Sequence, residues 1–135
     1  MATIVDSERE APVKSLVIRL MLESTTPNGF RLRYRSGVGV RGIGEMVYQF
    51  DVICPGNTLV SCGVRMPLYV RDLVRAQTGR ECLPAGERFW EAMCEEALSN
   101  YLRSNHRMPI GDVLCVVDLT PDLLRWINTV VEALT

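Results

Sequence analysis

The segment Phe-Arg-Leu-Arg-Tyr-Arg at residues 30–35 alternates strictly between large apolar residues and arginine. Successive side chains of an extended strand point to opposite sides, so the apolar residues and the arginines separate onto two faces. A strand of this kind buries one face against a core and leaves the other in solvent, which is typical of an antiparallel sheet covered on one side. The pattern therefore predicts a half-buried sheet as the framework of the fold.

The same alternation recurs in the neighbouring segments. Residues 14–23 carry apolar residues at positions 16, 18, 20 and 22, and residues 46–54 carry them at every even position. Residues 58–64 show a shorter version of the pattern. A turn cluster at 24–29, with Asn-Gly at its end, predicts that the first strand folds back onto residues 30–36 as a hairpin. We therefore expect three strands in this half of the chain and a shorter fourth strand after them.

The apolar spacing then changes to the helical period. We predict a helix from Pro67 to about residue 77, a second from Glu87 to Ser104, and a third that begins at Thr120-Pro121-Asp122, where a cap and a helix-starting proline stand together. Residues 113–117 are continuously apolar and predict a buried strand. The acidic residues of the second helix are expected to form a solvated face: Glu91, Glu95 and Glu96.

This order of elements predicts an α+β fold, in which an antiparallel sheet of four to five strands is covered on one face by three helices as a two-layer sandwich. A chain of 135 residues suits one domain. We assign residues 1–12 to a flexible N-terminal tail and residues 13–135 to a single α+β domain.

Composition narrows the partners and the compartment. The net charge of −1 gives no general attraction for polyanions, so we expect no nucleic-acid partner. No apolar run approaches the ~18 residues of a membrane span, so no membrane association is expected. The five cysteines are odd in number and unpaired in spacing, and the first twelve residues are polar, which together favour a soluble cytoplasmic protein with reduced thiols. The cysteine spacing predicts no metal site, and we expect no cofactor.

An arginine-lined sheet face is the first candidate binding surface. Side chains two residues apart on a strand project in parallel about 7 Å apart, close to the spacing of successive phosphates in an extended single strand. Alternatively, Glu23 and Asp51 neutralise the row as a solvated surface, or the face docks a protein partner or a second copy of the chain. The candidate residues are Arg19, Arg31, Arg33, Arg35 and Arg41.

A glycine-rich segment is the second candidate. Gly37, Gly39 and Gly42 stand in a G-x-G-x-x-G frame that formally resembles a phosphate-binding loop. A dinucleotide site of this type needs a helix directly after the glycines, whereas the residues after 42 predict a strand. We therefore interpret the segment as a flexible hairpin tip and retain it as a ligand-loop alternative.

A reactive thiol is the third candidate. A cysteine nucleophile needs a base, and His106 is the only histidine of the sequence. Cys82 is the thiol that we expect to be most exposed, so Cys82 and His106 are the candidate nucleophile and base. Cys94 and Cys115 occupy apolar positions and are expected to lie in the core.

No coherent catalytic set emerges from these candidates, and we lean against an enzyme. The preferred hypothesis is a small non-enzymatic protein–protein interaction or adaptor module that associates with itself as a homodimer. Three alternatives stay open: a phosphate- or nucleotide-binding protein, a cysteine-dependent enzyme, and a single-stranded nucleic-acid binding protein that uses the arginine face.

Overall fold

The computed structural model describes residues 24–38 and 44–134, with the backbone alone at 36–38. Within these ranges the chain forms a five-stranded sheet and three α-helices. A short 3-10 turn, Ile110–Asp112, precedes the last strand. In chain order the elements are β1 (Ser24–Thr25), β2 (Arg31–Val38), β3 (Glu45–Ile53), β4 (Leu59–Pro67), α1 (Tyr69–Thr78), α2 (Glu87–Asn105), β5 (Val113–Cys115) and α3 (Pro121–Ala133).

The strands lie side by side in chain order, β1-β2-β3-β4-β5. The predicted α+β class is confirmed. Neighbours from β1 to β4 run antiparallel, as expected for hairpins, but β5 runs parallel to β4. The expectation of a purely antiparallel sheet is therefore wrong at this edge. The reason is the connection: α1 and α2 return the chain to the end of the sheet where β4 began, so the next strand enters in the same direction.

The core lies between one sheet face and the helices. Most even-numbered side chains of the long strands are fully buried, such as Leu32, Phe50 and Val64, while the odd-numbered side chains on the opposite face are partly or fully exposed. α2 packs against β2, β3 and β4, and α1 packs against β4. The helices supply the other half of the core through Val70, Val74, Phe89, Met93, Leu98, Leu102, Leu123 and Ile127. No helix in the described part of the chain is long and apolar enough to cross a membrane.

Local signals set most of the helix boundaries. α1 ends at Gly79, whose φ of 70° lies in the left-handed region that glycine adopts without strain. The Thr120 side chain accepts a hydrogen bond from the Leu123 amide and caps α3 as predicted. Pro67 does not begin a helix, because β4 extends through it and α1 starts at Tyr69.

Arg71 joins α1, α2 and the sheet. Its guanidinium donates to the hydroxyl of Tyr48 on β3 at 2.9 Å and pairs with Glu87 on α2 at 3.1 Å. It also lies over the ring of Trp90, 4.9 Å from the ring centroid. Arginine suits this position because its planar cation can stack on an aromatic ring and still direct N–H groups to two acceptors.

A second contact fixes α2 to the sheet. The hydroxyl of Tyr34 on β2 donates to Glu91 at 2.9 Å, and Glu91 pairs with Arg88 at 3.0 Å. Glu95 is buried. The solvated face expected for these glutamates is therefore wrong at Glu91 and Glu95, because α2 lies flat on the sheet and this side of the helix contacts strand residues.

We predict that Arg71→Lys lowers the free energy of unfolding by about 1–3 kcal/mol, because lysine cannot keep the paired contact with Glu87 and the stacking on Trp90 together. Arg65→Lys is the matched control, since Arg65 also pairs with a glutamate, Glu45, but is 49% exposed where Arg71 is 14% exposed. The control should lose less than about 1 kcal/mol. Urea unfolding measures both values, and equal losses would contradict the assigned role of Arg71.

We also predict an alkaline loss of stability that depends on Tyr48. Burial raises the pKa of Tyr48 from 10.0 to about 12, although the hydrogen bond from Arg71 opposes the increase. The unfolded chain loses the Tyr48 proton above pH 10, whereas the folded protein keeps it up to about pH 12. The contribution of Tyr48 to the free energy of unfolding is therefore complete below pH 10 and falls as the pH rises from 10 to about 12. Tyr48→Phe should reduce the slope of unfolding free energy against pH in this window, measured by urea unfolding at each pH. An unchanged slope would refute this assignment.

Candidate functional site

The face of the sheet that the helices leave uncovered is the candidate site, and we call it the outer face. It consists of the odd-numbered side chains of β3, β4 and β5 and those of β2 up to Arg35, where the register shifts. Arg31, Arg33 and Arg35 all lie exposed on this face, at its β2 side. The alternation at residues 30–35 therefore separates arginines from apolar residues as the sequence predicts.

A β-bulge shapes the arginine row. In the β2–β3 register Arg33 lies opposite Asp51, and the pairing shifts between Tyr34 and Ser36. The extra residue is Arg35, which reaches Asp51 with an N···O distance of 3.6 Å. Two arginines thus converge on one carboxylate, so the row is partly neutralised by its own sheet. An exposed pair of this length contributes little to stability.

The arginine row borders a shallow concavity of about 250 Å³. Its lining includes the two cations Arg31 and Arg33, the carboxylate of Asp51, and the apolar side chains of Ile53 and Leu59. This combination suits an acidic side chain that is followed by an apolar one, as on the surface of another protein. The carboxylate within the concavity disfavours a polyanion, because each further phosphate would approach Asp51.

The aromatic residues next to the arginines face the other way. Tyr34 packs edge-on against Phe50, with the ring centroids 5.5 Å apart, and Tyr48 is buried beneath α1. Burial, followed by the hydrogen bond to Glu91, raises the pKa of Tyr34. Binding of single strands combines cations with stacked aromatic rings on one surface. The described part of the outer face offers cations without such rings.

The glycine segment is described only in part. Gly37 lies within β2 and pairs with Tyr48 of β3, so it belongs to the strand ladder and not to a loop. Gly39 and Gly42 fall outside the described residues, as do Arg19 and Arg41.

The thiol and the base proposed from the sequence lie at opposite ends of α2. Cys82 is exposed in the loop before this helix, and His106 caps its C-terminus, where its ring lies 3.1 Å from the side-chain nitrogen of Asn28. A helix of 19 residues is about 28 Å long at ~1.5 Å per residue. The structure therefore does not bring Cys82 and His106 together.

The remaining cysteines divide by burial. Cys62 and Cys94 are buried in the core; burial raises the pKa of Cys62 to about 11 and raises that of Cys94 as well. Cys115 is exposed, so the expectation that it lies in the core is wrong. β5 is an edge strand whose odd-numbered side chains point to the outer face, not the doubly covered strand that its apolar run suggests.

No group of three metal-ligating side chains occurs in the described ranges.

An uncharged stripe crosses the outer face and was not singled out from the sequence. Gln49, Gly63 and Val113 lie side by side in the registers of β3, β4 and β5. The Gln49 amide lies over Gly63 so closely that a Cβ there would be 3.3 Å from the Gln49 side-chain nitrogen. In the next row of the register Arg65 lies between Val47 and Cys115, so charge borders the stripe on this side. The alternation in the sequence places each of these residues on the outer face of its own strand. Only the strand order and register show that they are neighbours.

No family model, no curated protein and no solved structure matches this chain. Assignment of a function therefore depends on the geometry of these surfaces.

We predict two classes of thiol in the folded protein. Cys82 and Cys115 should react within minutes with a colorimetric disulfide reagent, because both are exposed. Cys62 and Cys94 should react only after unfolding, because burial both hides these thiols and keeps them protonated. Peptide mapping of the modified protein, with urea-unfolded protein as the control, identifies the classes. Modification of Cys94 at the rate of Cys82 would contradict the described core.

Proposed function

We propose that this chain is a non-enzymatic protein–protein interaction module that pairs with a second copy of itself through the outer face. One observation carries the proposal: the sheet has one face packed against helices, while the described residues leave the other face open with an uncharged stripe at its centre. A twofold dimer needs one self-complementary patch on each copy, and an uncovered sheet face can supply such a patch.

The size of the outer face supports a second copy as the partner. The five strands contain 31 residues, and at ~4.8 Å between strands and ~3.3 Å rise per residue they give a face on the order of 500 Å². Specific interfaces of standard size bury about 800 Å² per partner. Two such faces in contact would together bury on the order of 1,000 Å², the low end of specific interfaces, which fits a weak dimer.

The distribution of charge supports the same arrangement. Arg31 and Arg33 lie at the β2 side, and the Arg65–Glu45 pair lies at one end of β3 and β4. The stripe between them is uncharged, and Gly63 at its centre is covered by the side-chain amide of Gln49. An uncharged centre with charged residues around it is the usual anatomy of a protein interface. A twofold axis through Gly63 would keep both sets of arginines at the rim.

We predict that the wild-type chain sediments as a concentration-dependent dimer and that Val113→Arg weakens the dimer at least ~tenfold, because the new charge would be buried without a partner. Leu73→Arg is the matched control, since Leu73 is also 39% exposed but lies on α1, in the helix layer. It should leave the association unchanged. Sedimentation equilibrium measures all three proteins.

Two results would overturn self-association through the outer face. The first is a wild-type chain that remains monomeric at concentrations up to about 100 μM. The second is a dimer that both arginine variants weaken equally, which would place the contact elsewhere.

A further inference from the structure

The outer edge of β5 is an unpaired strand edge in the described sheet. β5 is the last strand, and β4 is its one neighbour there. The Val116 amide donates to the Arg65 carbonyl at 2.8 Å, so the backbone of the even-numbered residues points toward β4. The backbone groups of alternate residues in a strand point to opposite sides. The N–H and C=O of Cys115 therefore point away from the sheet, where another strand could pair with them.

A groove of about 330 Å³ runs beside this edge, between β5, the second half of α2 and the beginning of α3. Its walls are mainly apolar, and its volume is in the lower part of the range of ligand pockets, about 300–1,000 Å³. Side chains of a strand added to β5 would point alternately into this groove and onto the outer face. The apolar part of the lining includes Ala97, Tyr101, Leu114, Val116, Val117 and Leu123.

One buried donor in the groove lacks an acceptor. The side-chain oxygen of Asn100 accepts a hydrogen bond from Arg103 at 2.7 Å, which orients the amide. Its side-chain nitrogen is buried and has no hydrogen-bond partner in the described part of the protein. Buried polar groups are nearly always paired in native proteins, so an unpaired donor in a groove wall favours a ligand that brings an acceptor. The carbonyl group of an extended peptide is such an acceptor.

The charge at the end of the groove favours a cationic residue in the ligand. Arg125 and Arg103 both pair with Asp122 at the first turn of α3. Asp118, which also lines the groove, has no cationic partner among the described residues and bonds to the Leu119 amide. A lysine or arginine side chain near the end of β5 would complement this carboxylate.

We propose that an extended segment of a partner protein adds to β5 as a further strand, with an apolar side chain in the groove and a lysine or arginine next to Asp118. Backbone pairing with Cys115 and the Asn100 amide would bind the main chain, and the groove would select the side chains. This site goes beyond self-association because it uses the edge of the sheet instead of its face. Sedimentation tests self-association through the outer face, and peptide binding tests strand addition at β5. Failure of one proposal can therefore be told from failure of the other.

The first test uses a displayed library of random ten-residue peptides, selected on the immobilised full chain. The enriched sequences should combine an apolar residue with lysine or arginine. A selected peptide is then synthesised with N-methyl groups on alternate amides. Methylation of the set that pairs with β5 should abolish binding, and methylation of the other set should leave it nearly unchanged, because only alternate amides of an added strand face its neighbour.

The second test measures the affinity of the same peptide for variants by calorimetry. Asn100→Leu should weaken binding about tenfold, since it removes the donor at nearly the same side-chain size, and Asp118→Asn should weaken cationic peptides selectively. Cys115→Pro should abolish binding by removing the edge amide, whereas Cys115→Ser, its matched control, should bind as the wild type does. Circular dichroism verifies that each variant is folded.

Several outcomes would overturn strand addition at β5. One is the absence of any selected peptide with a dissociation constant below about 100 μM, which is the weak end of motif recognition. Another is equal loss of binding on methylation of either set of amides, or wild-type affinity in Asn100→Leu. Enrichment of sequences that copy residues 113–117 would instead indicate that a second copy of β5 occupies the edge.

Discussion

Phe50 and Val52 on β3 lie beneath the helices with their side chains fully buried, and this contact between one sheet face and three helices controls the rest of the structure. Because neighbouring residues of a strand point to opposite sides, burial of the even-numbered side chains forces the odd-numbered ones outward. The arginine row, the uncharged stripe and the exposure of Cys115 all follow from this one constraint.

Arg71 shows how a polar residue stabilises that contact. It lies where α1, α2 and β3 meet, and the free energy needed to bury its charge is offset by Glu87, Tyr48 and the ring of Trp90 together. The sequence contains fourteen arginines, and nothing in the local pattern distinguishes this one from those on the surface. Its role depends on three partners that are distant along the chain.

The outer face and the β5 edge have different chemistry and suit different partners. The face is wide, with charged residues around an uncharged centre, and suits another flat surface. The edge is narrow, with free backbone groups and an adjacent groove, and suits an extended segment. Both depend on β5: it contributes Val113 and Cys115 to the face, and its position as the last strand leaves the edge open. A chain with both surfaces could join a copy of itself and a second protein at the same time.

The sequence by itself determined the strands β2, β3 and β4, the three helices, the caps at Gly79 and Thr120, and the face on which Arg31, Arg33 and Arg35 lie, while the strand predicted at residues 14–23 falls outside the described residues. These features depend on residues that are close along the chain, where periodicity and capping act directly. Only the tertiary structure decided the parallel direction of β5, the exposure of Cys115, the separation of Cys82 from His106, the burial of Glu95, and the groove that contains Asn100. The physical reason is that each of these depends on which elements become neighbours, and an apolar run such as residues 113–117 has the same local pattern at the centre of a sheet as at its edge.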